Sequence, residues 1–278
     1  MIKSRLWKLF YCLCGSCLII VFLQSYSNWK NEHPNGFVRL NPNKKILGIR
    51  SIDIKSSGFY IAGMDSQFVY LGLRNQLSEL LKLDYIHYNS LKINIEAFNK
   101  LYIYAGTYLR VDDSFVYLFD GVKPLIRATH LMSRKSGPNL EMPYFTAAVP
   151  LKLNTYILRV AKNRQNYLAK SEKGKISSLI KLEEQGSGIF STDGSLLKST
   201  RSDTIFYVYN YRNQFLALDS NLSILFKGKT IDTISQAQIE VSRISSERKL
   251  TMSAPPLIVN RRCAVNDQFL FVQSEMKA

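Results

Sequence analysis

The sequence predicts an all-β fold, a β-propeller of about five to six four-stranded blades behind one N-terminal hydrophobic helix. Three observations predict it. Apolar side chains after residue 37 alternate over short runs, as in strands. Polar turn residues separate these runs. Those polar connections recur near residues 65, 112, 163, 212 and 267, which are 47, 51, 49 and 55 residues apart. Residues 1–30 are read as a membrane anchor or signal segment and residues 31–278 as the propeller domain. Ring closure is left open.

The leader comes first. Lys3, Arg5 and Lys8 precede an apolar run over residues 9–23, and no acid occurs before Glu32. This is the pattern of a secretory signal or a single anchor. Ser25 and Ser27 are small residues placed for cleavage before Asn28, so cleavage stays open. Cys12, Cys14 and Cys17 precede the longest apolar stretch, Leu18 to Leu23, which argues against lipidation. They are expected to behave as small hydrophobes. Cations ahead of the run place the N-terminus inside and the remainder on the extracytoplasmic side, periplasmic or at the cell surface. There Cys263 stands alone, so no internal disulfide is expected in the folded part.

The strands follow in order. Phe59-Tyr60-Ile61-Ala62-Gly63 and Phe68-Val69-Tyr70-Leu71 flank Met64-Asp65-Ser66-Gln67, a connection of hairpin length. Leu101-Tyr102-Ile103-Tyr104 and the run Ser114 to Phe119 are expected to pair around Asp112-Asp113. Ile205 to Tyr209 and Gln214 to Leu218 flank Asn210-Tyr211-Arg212-Asn213. Asp219 to Leu225 adds a further hairpin, and Phe269 to Val272 follows Asn266-Asp267. Residues 76–82, with Leu77, Leu80 and Leu81, could form a short helix. Residues 230–246 suit a helix by spacing and a strand by composition, and stay undecided. An irregular β-sandwich is the alternative architecture. A strand near Phe37 to Leu40 would complete the last blade, or the ring is one blade short.

Several segments carry a resemblance. They are Gly188-Ile189-Phe190-Ser191-Thr192-Asp193-Gly194, the run Tyr207 to Phe215 with Ile224-Leu225, Val69-Tyr70-Leu71-Gly72, and Tyr144 to Pro150. From about Ile46 onward the chain resembles uncharacterised membrane-anchored β-propeller proteins of Bacteroidetes, six-bladed and TolB-like. The resemblance implies the fold and an envelope location, and no activity. Its members look longer at the C-terminus, which bears on ring closure.

Catalytic patterns are scarce. His33, His87 and His130 have no partner at metal-ligand spacing, so no metal and no cofactor are expected. Gly186 and Gly188 lack the third glycine of a phosphate loop and are read as turn formers. Ser178-Leu179-Ile180-Lys181 and Ser195-Leu196-Leu197-Lys198 fit S-x-x-K. On a strand, however, the first and fourth residues face opposite ways, and the companion motifs are missing. Asp112, Asp113, Asp120, Asp193 and Asp219 do not form a calcium loop and are read mainly as turn formers. No catalytic residue is assigned.

Charge gives the one hint of a partner. The net charge is +16, and the part beyond residue 27 holds 34 Lys and Arg against 21 Asp and Glu, a net +13. Arg243, Arg248, Lys249, Arg261 and Arg262 form one group, and Arg159, Lys162 and Arg164 another. Outside the cytoplasm this favours a protein or an anionic glycan or lipid over nucleic acid, with a merely solvated basic surface as the competing reading. Tyr207, Tyr209 and Tyr211 alternate beside Arg212 and, with Asp193, are the candidate ligand-binding residues; a tyrosine row packed between blades is the competing reading. The expected function is that of an envelope-exposed binding or scaffolding module. The alternative is a propeller-type hydrolase or lyase acting on a carbohydrate or ester at the channel mouth.

Overall fold

The computed structural model describes residues 2–31, 51–99, 101, 104, 106–186, 188–199, 202–244 and 249–275. Expectations that rest on His33, Phe37 to Leu40, Tyr102, Ile103 and Arg248 lie outside the described residues, as do the side chains of Arg243 and Lys249.

Helix α1 (Ile2–Asn31) opens the chain. Blade 1 is β1 (Phe59–Met64), β2 (Phe68–Leu73), β3 (Gln76–Asp84) and β4 (Asn89–Asn94). Blade 2 is β5 (Tyr108–Asp112), β6 (Phe115–Asp120), β7 (Leu125–His130) and β8 (Leu140–Glu141). Blade 3 is β9 (Phe145–Lys152), β10 (Thr155–Lys162), β11 (Gln165–Glu172) and β12 (Lys175–Lys181). Blade 4 is β13 (Gly194–Lys198), β14 (Ile205–Tyr209), β15 (Gln214–Leu218) and β16 (Ile224–Lys229). Within each blade, strands pair antiparallel in chain order. Two hairpins follow, β17 (Val241–Ile244) with β18 (Lys249–Met252) and β19 (Asn260–Val265) with β20 (Leu270–Ser274). The chain is thus an all-β propeller with four four-stranded blades among the described residues, fewer than the five or six expected.

The shortfall has a simple origin. The polar connections near 65, 112 and 267 join the first two strands of a sheet, whereas those near 163 and 212 join the second and third. The even rhythm therefore mixed two kinds of hairpin. The blades start at residues 59, 108, 145 and 194, which are 49, 37 and 49 apart. Two further expectations are corrected. Ser114 to Phe119 pairs with β5, not with the run at 101–104, because Tyr108 to Asp112 supplies a five-residue alternating strand. Residues 76–82 form strand β3, not a helix. A register shift at Gly72/Leu73 brings Leu77 and Leu80, three residues apart, into one cluster, while Leu81 is buried on the other face. The undecided segment has no regular element until β17 begins at Val241.

Alternation explains the packing between blades. In β6, Val116 and Leu118 join a cluster with Ala62, Tyr70 and Leu80 of blade 1, while Tyr117 and Phe119 join another with Ala148, Tyr156 and Leu158 of blade 3. In β10, Ile157 turns to a third cluster with Leu196, Tyr207 and Leu216 of blade 4. Strands buried on both faces read as continuous apolar runs. Each fully buried Leu, Ile or Phe is worth roughly 1.5–3 kcal/mol, so these three clusters bind each blade to the next.

Of the aspartates read as turn formers, Asp120 and Asp219 cap turns, whereas Asp112 and Asp193 instead hold ion pairs with Lys198 and Arg159. Asp65 Oδ1 accepts the N–H groups of Gln67 and Phe68, Asp120 Oδ1 those of Val122 and Lys123, and Asp219 Oδ1 those of Asn221 and Ser223. Asp84 does the same for Ile86 and His87 and also meets the His87 Nδ1 and Gln67 Nε2 atoms. Burial raises its carboxyl, but these hydrogen bonds outweigh burial and hold it well below the usual carboxylate range.

Tyrosine hydroxyls join neighbouring first strands. Tyr60 Oη on β1 accepts the Leu109 N–H of β5 at 2.6 Å. Tyr108 Oη on β5 donates to Ala148 O and accepts Ala148 N–H on β9, each at 3.1 Å. Tyr108→Phe leaves both Ala148 groups without that partner, which should cost roughly 1–3 kcal/mol. The check is a lowered urea midpoint with an unchanged m-value; an unmoved midpoint would mean that the hydroxyl does not join the blades.

Helix α1 has apolar side chains on every side, and Leu18, Ile19, Ile20, Val21, Phe22 and Leu23 are all exposed. At about 100° per residue, six consecutive positions cover the whole circumference. Among the described residues, no helix is long and apolar enough to cross a membrane.

Candidate functional site

The turn between β14 and β15, residues 210–213, is held from three directions. Asn210 O accepts the N–H groups of Val259 at 2.8 Å and Asn260 at 3.0 Å. Asn260 Nδ2 donates to Tyr209 O at 2.8 Å and Arg212 O at 2.9 Å. Asn213 reaches Ile234 O through its N–H and Asp232 O through Nδ2, at 2.7 and 2.6 Å. These bonds satisfy backbone groups that would otherwise be stranded inside. They also fix the turn so that Tyr211 and Arg212 fold inward and are buried.

Arg212 is fully buried, and its partners are internal. Nε donates to Gln214 Oε1 and Nη2 to Glu183 O, each at 2.9 Å, and Nη1 lies 3.5 Å from Ser191 O. The guanidinium carbon sits 3.6 Å from the centre of the Tyr209 ring. Tyr207 and Tyr209 share one strand face, as their alternation predicts, with ring centres 5.2 Å apart and planes at 88°. Tyr211 lies in the turn rather than on the strand.

Asp193 stands immediately before β13 and pairs with Arg159 of β10, Nη1 to Oδ1, at 3.0 Å. The same Nη1 is 3.2 Å from Tyr207 Oη, and Arg159 Nε donates to Thr146 Oγ1 of β9 at 2.6 Å. Tyr207 Oη in turn donates to Thr192 O. Gly194 makes room for this arrangement: a Cβ there would sit 2.4 Å from Val208 O and 2.8 Å from the Tyr207 ring. One guanidinium therefore ties blade 3 to blade 4 at the end where the first strands begin.

Burial dominates the protonation of this network. It raises the Asp193 carboxyl, and Arg159 only partly offsets that. It raises the Tyr207 hydroxyl far above its ordinary value, again against Arg159. Burial lowers Arg159, but Tyr207 and Asp193 more than restore it. Tyr70 and Tyr156 elsewhere are pushed up to about 12, first by burial. A group raised in the folded state contributes stability that is complete below its unfolded value, about 10 for tyrosine, and is lost as pH climbs through the folded value. Urea midpoints should thus hold on the tyrosines' account up to about pH 10 and fall between about pH 10 and 12. Absorbance at 295 nm should show delayed ionisation; a normal tyrosine titration in the folded protein would contradict this.

The structure brings all five candidate residues to one neighbourhood. Tyr207, Tyr209 and Arg212 form its buried layer, while Asp193 is the most open of the five. The sequence reading did not single out Thr146, Thr192 or Asn260, and it placed Arg159 only in a basic group with Lys162 and Arg164. No local motif marks them, because their roles arise between blades. Ser178 and Lys181 lie on β12, and Ser195 and Lys198 on β13, so both S-x-x-K segments are strands. Cys12, Cys14, Cys17 and Cys263 are free thiols.

No family model matches the chain, and no curated protein matches it. Solved structures resemble it at low identity. Streptogramin B lyase is 10% identical, with 80% of this chain and 78% of that chain covered and a TM-score of 0.44. The β-propeller domain of Cps50 (Swd1) from Myceliophteria thermophila is 11% identical, with 79% and 71% covered and a TM-score of 0.43. A protein of unknown function from Bacteroides caccae is 9% identical, with 68% and 69% covered and a TM-score of 0.39. The fold assignment rests on this chain's own strand order and blade packing: it is a β-propeller with four-stranded blades and one N-terminal helix.

Proposed function

We propose that the chain is a binding or scaffolding propeller, exposed on the extracytoplasmic side of the cell envelope and attached to a membrane through α1. Its ligand-binding end is the mouth around Asp193 and Tyr211, with Tyr207, Tyr209 and Arg212 as the layer beneath. One observation carries the reading: Arg159 bonds Thr146, Asp193 and Tyr207 at once. Such a network presents fixed donors and acceptors, which suits recognition of a polar partner, a protein or an anionic glycan or lipid. Support for the membrane attachment is the exposed apolar run of α1 behind three cations.

The test has two arms. An alkaline phosphatase fused after Lys30 should be active; an inactive fusion, with an active cytoplasmic reporter at the same site, would reverse the orientation. Capture from envelope extracts should retain a partner that Tyr211→Ala, checked as folded by circular dichroism, no longer holds. Equal retention by the variant would place binding elsewhere. The raised Asp193 carboxyl favours a second reading, proton transfer in a hydrolase or lyase. Turnover of a carbohydrate or ester that vanishes in Asp193→Asn would select it.

A further inference from the structure

The opposite ends of the first strands hold a second cluster of charges. Tyr108, Arg110 and Asp112 alternate on one face of β5, while Leu109 and Val111 pack toward blade 1. The Tyr108 hydroxyl bonds Ala148, so this face looks toward blade 3. On β13, Leu196 packs against Val149 and Ile157 of blade 3, and Lys198, two residues on, shares its side. Asp112 and Lys198 meet, Nζ to Oδ2, at 2.7 Å. Their side chains are 21% and 9% exposed. Blade 3 separates these two blades in the chain, so the pair bridges past it.

Arg110 precedes Asp112 by two residues and shares its face of β5. It is half-buried, and among the described residues its guanidinium makes no hydrogen bond and no ion pair. Burial lowers its basicity, against the fields of Tyr108 and Asp112. Asp112 is already committed to Lys198. The cluster thus holds two cations and one anion, and its guanidinium keeps its donors free. A planar fork of donors fits the two oxygens of a carboxylate or phosphate group. A half-buried guanidinium whose donors are unused can take such an anion without first breaking an internal bond.

We propose that a small free oxyanion, a phosphate or a carboxylate, binds in the axis on Arg110, with the Asp112–Lys198 pair as the floor of the site. This site is separate from the mouth around Asp193 and does not depend on its role. Lys198 has two effects there: it neutralises Asp112, and it keeps that carboxylate from taking Arg110 for itself.

The experiment is calorimetric titration of the folded protein with inorganic phosphate, and separately with acetate, at low chloride. Saturable binding of at least one of them is expected, at least tenfold weaker in Arg110→Met. Arg110→Lys keeps the charge and loses the fork, so it should bind measurably more weakly while folding normally. Lys198→Met should also weaken binding, because Asp112 then competes for Arg110. No saturable binding, or equal binding by Arg110→Lys and the parent protein, overturns the proposal. Tyr211→Ala should bind the oxyanion as the parent does; loss there would assign the anion to the mouth instead.

Discussion

Replacing Arg212 by Ala should destabilise the protein by roughly 3–5 kcal/mol, a loss typical of removing a large buried side chain together with its hydrogen bonds. The substitution leaves Glu183 O and Gln214 Oε1 without their donor and opens a void beneath the Tyr209 ring. Equilibrium unfolding in urea measures it directly. A surface arginine that only touches a ligand would move stability by at most about 0.5 kcal/mol. A small change would therefore mean that Arg212 is not the keystone of the 210–213 turn, and that its place in the binding layer needs another explanation.

The second large effect concerns how closely blades approach. A Cβ on Gly63 of β1 would lie 2.3 Å from Val111 O and 2.9 Å from Val111 Cβ on β5. A Cβ on Gly121, after β6, would lie 2.2 Å from Phe145 O on β9. In both cases the obstacle is backbone of the next blade, which cannot rotate away. Gly63→Ala and Gly121→Ala should each cost about 3 kcal/mol, the upper end of overpacking penalties. Gly186→Ala is the control, since nothing lies within 4 Å of a Cβ there. If all three variants unfold at the same urea concentration, the blades do not pack this tightly.

These effects show which parts of the fold could be read from the sequence. Hairpins were legible where an Asp or Asn turn separates two aromatic and β-branched runs, as at Asp65 and at Asn210–Asn213, because turn chemistry is local. The five connection centres recurred for the same reason. Blade count was not legible, since a polar connection does not declare which two strands of a sheet it joins. Leu77 and Leu80 imitated helix spacing because the bulge between them puts residues three apart on one strand face. At the candidate site, the Tyr207–Tyr209 alternation was legible as a shared face. The partners Arg159, Thr192 and Asn260 were not, because blade packing brings together residues up to 51 positions apart. Burial decided what the sequence left open for Arg212: a charged residue in a turn reads as exposed until distant segments close over it.

The blades stand around a common axis, so that first strands from non-adjacent blades meet. Asp112 and Lys198, 86 residues apart, test it most directly. A double-mutant cycle with Asp112→Asn, Lys198→Met and the pair, read by urea unfolding, should give a coupling energy of at least about 1 kcal/mol. Additivity within about 0.3–0.5 kcal/mol is the behaviour of residues that never touch, and it would contradict the propeller arrangement.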